Sequence, residues 1–373
     1  MVTEKLKVTT IVGTRPEIIR LSVLLGKFDQ IFDHRLIFSS QNRQSFVGSN
    51  FFDELKLKQP SATMSNTSNS IAEFISTLLV FVENEIIQHR PDAVVILGDT
   101  NTSLAALIVK KYGIPVYHLE AGNRSFDANV PEELNRKIVD HISDFNLAYS
   151  QQALQNLLHE GLPTRNTIVI GSPLREVIEL NRQRIKASEI LKSLKIKSKE
   201  FFLVSAHRQE NIDDAARLST LIDTLNAVAE TFTKPLIIST HPRLQSMLEK
   251  GNYKRHEQLK FVEPLGFIDY CKLQNEASAV LSDSGSIAEE SAILGFKALT
   301  LRDSMERPEA LEAATIELTG LDSARVIAAI ERLESTEKVI PVPSDYQITN
   351  TSDRVINFIL STHHVRDFWS GIR

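Results

Sequence analysis

Short apolar runs that each stop at a glycine, an acid or a Ser-Gly turn set the strongest limit on how this chain folds. KVTTIV (Lys7–Val12) runs into Gly13-Thr14-Arg15-Pro16-Glu17, and AVVIL (Ala93–Leu97) runs into Gly98-Asp99-Thr100. VYHL (Val116–Leu119) runs into Glu120, and AVLS (Ala279–Ser282) runs into Asp283-Ser284-Gly285-Ser286. Each run reads as a strand, and helical patterns lie between the runs. Strand and amphipathic helix in alternation imply an α/β fold with parallel sheets. In such sheets ligands bind outside the carboxyl ends of the strands, which is where these polar strings fall.

The alternation forms two series. In the first, strands are expected at Lys7–Val12, Arg35–Ser39, Ala93–Leu97, Val116–Leu119 and Asn146–Tyr149. Helices are expected at Glu17–Phe28, Ile71–Gln88, Thr102–Tyr112, Glu132–Ile142 and Gln151–Glu160. The Ser-, Thr- and Asn-rich segment Pro60–Asn69 reads as a loop. The second series follows Gly171-Ser172-Pro173. Its strands are expected at Phe201–Ser205, Leu236–Ser239, Lys260–Val262, Ala279–Ser282 and Ala298–Leu301, and its helices at Ala215–Phe232, Asp269–Glu276 and Ile287–Leu294. Two Rossmann-like domains follow, one of residues 1–171 plus 352–373 and one of residues 172–351. The last helix, near Ser352–Ser361, crosses back to the first. A chain of 373 residues suits two such domains.

Composition narrows the function. A net charge of −5 argues against a general nucleic-acid or membrane-surface role. No apolar run approaches the ~18 residues of a transmembrane span, and no signal-peptide pattern precedes the first strand, so a cytoplasmic protein is expected. The single cysteine, Cys271, leaves no intrachain disulfide framework. The sequence has no G-x-G-x-x-G after the first strand, no P-loop string, no H-E-x-x-H and no G-x-S-x-G. Neither a dinucleotide, a metal nor any other cofactor is indicated.

Two chemistries remain. Arg15, at the opening of a helix, suits a diphosphate. Ser284, Gly285 and Ser286 open the helix Ile287–Leu294, where free N–H groups and the positive helix end favour phosphate. Glu290, one turn in, suits ribose hydroxyls. Arg20, Arg208, Arg243, Arg302 and Arg307 add local positive charge to an acidic chain. The other chemistry is acidic. Asp99 and Glu120 end strands, and Glu132 and Glu133 open a helix after Pro131, with Arg124 and Arg136 close in sequence. His207-Arg208 and His241-Pro242-Arg243 follow successive strands. For each string a plain structural role competes: a helix cap for Asp99 and the serines, solvated helix surface for Glu133.

Taken in order, GTRPE, GDT, EAGNR, PEELNR, AHRQEN, SDSGS and RDSMERPEA resemble the non-hydrolysing UDP-N-acetylglucosamine 2-epimerase family, over most of the chain. The resemblance implies two Rossmann-like domains in a GT-B arrangement, an active site in the interdomain cleft, a homodimer, a UDP-sugar substrate and no cofactor. It implies Asp99, Glu120, Glu132 and His207 as catalytic groups. Arg15, Arg20, Arg136, His241, Arg243, Ser284, Gly285, Ser286, Glu290 and Arg307 follow as substrate-binding groups. EAGNRSFDANVPEELNR, STHPR and RDSMERPEA are similar to the branch that forms UDP-N-acetyl-L-fucosamine for capsule or O-antigen synthesis. In that branch Phe126 and Met305 would suit a sugar with a methyl at carbon 6. The alternatives are interconversion of UDP-N-acetylglucosamine and UDP-N-acetylmannosamine, a hydrolysing variant, a GT-B glycosyltransferase, and a non-catalytic UDP-sugar-binding protein.

Overall fold

The computed structural model describes residues 4–41, 51–206, 208–212, 214–240, 242–251, 253–335 and 340–371. The chain divides into two compact units, Met1–Val177 with Asp345–Arg373 (unit 1) and Ile178–Ser344 (unit 2).

Unit 1 is built on seven parallel strands: β1 (Lys7–Val12), β2 (Asp33–Phe38), β3 (Ala62–Thr63), β4 (Ala93–Leu97), β5 (Val116–Leu119), β6 (Phe145–Ala148) and β7 (Thr167–Val169). Their order is β3-β2-β1-β4-β5-β6-β7. The central strands are buried along their length, as parallel strands covered by helices on both faces must be. One face packs on Ile71–Gln88, through Phe74, Leu78, Val82 and Ile86. The Ser70 side chain caps that helix by accepting from Glu73 N, and Glu73 in return accepts from Asn69 N. The helix Thr351–Thr362 belongs to unit 1 as well. Tyr117 Oη lies 2.8 Å from Thr362 Oγ1, and Arg366 pairs with the buried Asp144 at 2.7 Å.

Unit 2 repeats the plan with six parallel strands: β8 (Phe202–Ser205), β9 (Leu236–Ser239), β10 (Leu259–Val262), β11 (Ala279–Ser282), β12 (Ala298–Thr300) and β13 (Glu317–Leu318). Their order is β10-β9-β8-β11-β12-β13. Side chains alternate between faces, as a period of two requires. Phe202 and Val204 join a core with the helices Ala215–Phe232 and Ser323–Ser335. Phe201 and Leu203 join the opposite core with Phe267–Glu276 and Ile287–Leu294. Cys271, on the helix Phe267–Glu276, is buried.

The α/β class with two Rossmann-like halves is therefore observed. The loop expected at Pro60–Asn69 contains the two-residue edge strand β3, which hydrogen-bonds to β2 through Ile37 and Phe38. Among the described residues no helix is long and apolar enough to cross a membrane.

Candidate functional site

The strand orders of both units contain one switch point, where successive connections leave in opposite directions. In unit 1 it lies between β1 and β4, and in unit 2 between β8 and β11. Crevices at such points hold ligands in open α/β sheets. Both phosphate-suited strings and the Asp99 string open at these points.

In unit 1, Thr14 precedes the helix Arg15–Ile31, whose first turn carries Pro16. Gly13 is obligatory here: a Cβ would stand 1.9 Å from Thr102 Oγ1 and 2.4 Å from Ser39 Oγ. Glu17 turns back into this turn and is buried. It accepts from Gly13 N at 2.6 Å and from Thr100 Oγ1 at 2.7 Å. Burial pushes its pKa up to about 7, against hydrogen bonds from Gly13, Thr100 and Thr14 that pull it down. One carboxyl thus ties the end of β1 to the end of β4. Sequence reasoning did not single out Glu17 as a site residue. The signal was present, because Thr14-x-x-Glu17 is a capping-box spacing.

Asp99 follows Gly98, whose φ of +73° puts the turn in the left-handed region. Its Oδ2 lies 2.5 Å from Arg136 Nη2, and its carbonyl accepts from Asn135 Nδ2 at 2.9 Å. Glu120 ends β5 with φ +66°, a strained value for a residue with a Cβ. Strain of this kind persists only where surroundings over-determine it, and it concentrates at functional sites. Glu120 Oε2 lies 3.9 Å from Arg20 Nη1, and its Oε1 accepts from Asn123 Nδ2 at 3.3 Å. Arg20 is itself buried and stacks over Tyr149. Asp99 and Glu120 therefore sit at the ends of neighbouring strands, each facing a guanidinium.

The helix Pro131–Ile142 supplies the remaining unit 1 groups. Glu132 Oε2 is buried and accepts no hydrogen bond from the described residues. Glu133 is not the solvated surface residue its sequence context allows. It is buried, accepts from Ser125 N and Oγ at 3.0 Å each, and pairs with Arg136 at 3.1 Å. Burial alone raises its pKa, but Ser125 and Arg136 outweigh that and lower it. Glu133 thus fixes the loop that carries Phe126.

Behind this loop lies a buried ionic cluster that sequence reasoning missed. His118 Nε2 donates to Gly98 O at 2.8 Å, and His118 Nδ1 lies 2.9 Å from Asp140 Oδ1. Asp140 Oδ2 lies 2.8 Å from Arg124 Nη1, and Arg124 grips Glu160 with two further bonds of 2.8 and 2.7 Å. Burial lowers the His118 pKa, but Asp140 and the Gly98 carbonyl outweigh it and raise it. Burial raises that of Asp140, but His118 and Arg124 outweigh it and hold the carboxyl low. The available signals were a histidine inside a buried strand and Glu133, Arg136 and Asp140 recurring on one helix face.

In unit 2, Asp283 ends the turn after β11 and is fully buried. It accepts from Arg208 N and Asn211 Nδ2, each at 3.0 Å, so it joins the ends of β8 and β11. The next residues, Ser284-Gly285-Ser286, open the helix Ile287–Leu294. The two hydroxyls lie 2.9 Å apart. Glu290 accepts from Ser286 Oγ at 2.6 Å and Gln274 Nε2 at 2.5 Å. Cations surround the turn. Arg307 Nη1 donates to Gly285 O at 2.6 Å. Buried Arg302 makes a two-bonded pair with Glu306 at 2.6 and 2.9 Å, and Arg208 reaches Glu306 at 3.3 Å. Arg15 lies at its own helix start in unit 1, where burial lowers its pKa against the opposing charge of Glu54.

His207 and His241 lie outside the described residues. Arg243 lies in the helix Pro242–Lys250. Met305, read as a sugar-facing residue, is half-buried and packs in part against the unit 2 core. Phe126 is 77% exposed, with φ +53°. Unit 1 thus gathers Glu17, Arg20, Asp99, Glu120 and Arg136 around three strand ends, with Glu132 one turn before Arg136 on its helix, and unit 2 gathers Ser284, Gly285, Ser286, Glu290 and Arg307 around one helix start.

Comparison with known proteins bears on this arrangement. A family model described as UDP-N-acetylglucosamine 2-epimerase matches residues 27–360. The UDP-N-acetylglucosamine 2-epimerase of Methanocaldococcus jannaschii is 35% identical over 338 residues, which cover 87% of this chain and 92% of that one. Among solved structures, UDP-N-acetylglucosamine 2-epimerase from Rickettsia bellii superposes with a TM-score of 0.90 at 35% identity, covering 98% of both chains. The Methanocaldococcus jannaschii enzyme in complex with UDP-GlcNAc and UDP gives a TM-score of 0.90 at 32% identity, covering 95% of this chain and 100% of that one.

Proposed function

The chain belongs to the UDP-N-acetylglucosamine 2-epimerase family, and from that premise we propose that it interconverts UDP-N-acetylglucosamine and UDP-N-acetylmannosamine. It is an isomerase of UDP-2-acetamido sugars, without hydrolysis of the product. The observation that carries the site assignment is the pair of carboxylates, Asp99 and Glu120, at adjacent strand ends beside arginines.

The chemistry explains why such a pair is needed. The hydrogen on carbon 2 is not next to a carbonyl, so direct removal would leave an unstabilised carbanion. Breaking the anomeric carbon–oxygen bond first releases UDP and leaves oxocarbenium character at carbon 1. That acidifies the carbon-2 hydrogen enough for a carboxylate to take it, giving a 2-acetamidoglycal. UDP then adds back while a proton arrives on the other face. A positioned acid or base is worth ~10²–10⁴-fold in rate. Asp99, Glu120 and Glu132 are the acid/base candidates. The buried Glu132 oxygen, without a donor among the described residues, suits a substrate hydrogen bond. Arg15, Ser284, Gly285 and Arg307 suit the diphosphate, whose leaving charge needs fixed donors. Glu290 suits the ribose, and Arg20 and Arg136 hold the two carboxylates. His207, His241 and Arg243 keep the roles that the family resemblance implies.

The L-fucosamine branch is the second reading, and the exposed Phe126 is the feature that favours it. The relatives above carry glucosamine names, which favours the first reading.

Proton NMR of each UDP-sugar with the protein in heavy water tests the proposal. UDP-N-acetylglucosamine should gain deuterium at carbon 2 and yield the manno epimer. Preferential turnover of UDP-2-acetamido-2,6-dideoxy-L-talose would move the reading to the L-fucosamine branch. Free hexosamine would mean hydrolysis, and binding without deuterium uptake would mean a sensor.

A further inference from the structure

Among the charged side chains that unit 1 buries, His118, Arg124 and Asp140 form a cluster that takes no part in the steps above. Burying ions is costly, and a packed apolar cluster of like volume is often as stable or more so. Their directional contacts suggest a task beyond stability. We infer that His118 and Asp140 are positioning residues that fix the aim and spacing of the Asp99 and Glu120 carboxylates; the inference rests on the epimerase reading of those two acids.

The contacts run from one acid's loop to the other's. His118 Nε2 holds the carbonyl of Gly98, the residue before Asp99. His118 Nδ1 meets Asp140 at 2.9 Å. Asp140 accepts from Gly122 N, two residues after Glu120, at 3.2 and 3.3 Å. Asn156 Nδ2 holds Gly122 O at 2.9 Å, so both polar groups of that residue are bound. Gly122 has φ +83°, and a Cβ there would meet Ala153 O at 2.2 Å. Arg124, gripped between Asp140 and Glu160, fixes the loop two residues further on. The backbone on both sides of Glu120 is therefore clamped, which is what its left-handed conformation requires. An acceptor lies within 2.9 Å of each ring nitrogen of His118, Gly98 O at Nε2 and Asp140 at Nδ1.

The spacing matters because one group must take a proton from carbon 2 and another must deliver one to the opposite face. A displacement of about 1 Å can cost ~10²-fold in rate. A change at His118 or Asp140 frees both acids' loops without touching the substrate.

The test uses the full chain with Asp140→Asn and His118→Gln, each and together. Three readouts are taken: kcat and KM for UDP-N-acetylglucosamine, the UDP dissociation constant by calorimetry, and amide hydrogen exchange at Gly122. Each single variant should lower kcat ~10–100-fold. KM and UDP affinity should stay within about three-fold, as for an interaction made only toward the transition state. Gly122 exchange should quicken, and the double variant should be little worse than the worse single, since the two act as one unit. Folded variants with wild-type kcat would overturn the inference. So would losses that fall equally on kcat and UDP affinity, which mark a merely structural role. If Asp140→Asn fails to fold, His118→Gln decides by the same criteria. If the wild-type chain takes up no deuterium from heavy water, the epimerase reading fails. Gly122 exchange then separately shows whether the tether exists.

Discussion

The two units share the order of six strands and put different chemistry at matching places in it. The central strand β1 leads to Glu17 in unit 1, and its counterpart β8 leads to Arg208 in unit 2. Across the switch point, β4 leads to Asp99 beside Arg136, while β11 leads to Asp283, whose carboxylate is taken up by Arg208 N and Asn211. One strand further, β5 leads to the strained Glu120, and β12 leads to the buried Arg302. A parallel sheet offers the same carboxyl-end positions whatever fills them. Acids at these positions make unit 1 suited to moving protons. Guanidinium groups and a serine-lined helix start make unit 2 suited to gripping an anion.

The sharpest way to break this contrast is to remove one acid's charge. Asp99→Asn or Glu120→Gln should lower kcat ~10²–10⁴-fold and stop deuterium uptake at carbon 2. The calorimetric UDP dissociation constant should hardly change. A collapse of UDP affinity would mean that unit 1 grips as much as it reacts.

Glu17 gives the next largest effect, on stability. Its pKa in the folded chain is about 7, against 4.5 as the ordinary value. Between those two values the folded state keeps a proton that the unfolded state has lost. Its contribution is therefore complete below pH 4.5 and disappears as pH rises through about 7. At about 1.4 kcal/mol per unit the change amounts to about 3 kcal/mol. Thermal melts of wild type and Glu17→Gln across this range should diverge, with wild type losing more as pH rises. Parallel curves would show that Glu17 does not hold the proton.

Unit 2 should respond through binding. Ser284→Ala with Ser286→Ala removes two neutral donors worth about 1 kcal/mol each. The UDP dissociation constant should rise roughly 30-fold, with KM rising in step. A larger loss in kcat than in affinity would place chemistry in unit 2. The smallest effect is expected at Asp214, whose side chain caps the helix Ala215–Phe232 through Ala216 N and Arg217 N. Asp214→Ala should cost about 1 kcal/mol in chemical denaturation and leave UDP affinity as it is.

The strands that carry these groups were legible because they are continuous apolar runs. Lys7–Val12, Ala93–Leu97, Val116–Leu119 and Ala279–Ser282 stand where their hydrophobicity puts them. The edge strands β3, β7 and β13 are two or three residues long and too brief for any pattern. The helix Leu174–Ala187, with six charged and six apolar residues of fourteen, carries an amphipathic pattern that sequence reasoning did not use. At the site, residues that end strands could be read, since a polar residue after an apolar run announces itself. Glu17, His118 and Asp140 could not be ranked, because their significance lies in partners 18 to 83 residues away. Glu133 misled for a more local reason: a first-turn acid looks solvated until its partner Ser125, eight residues before it, is seen to cover it.

The return of Thr351–Thr362 to unit 1 has a consequence for how the molecule is made. As the polypeptide leaves the ribosome, all seven strands of the first sheet emerge early. Tyr117, Asp144 and Ile170 must still wait for Thr362, Arg366 and Thr351 to be synthesised. Residues 178–344 have every strand of their own sheet in hand well before that point. The inserted unit can therefore finish first, and the unit around it is completed only once Thr351–Arg366 has appeared.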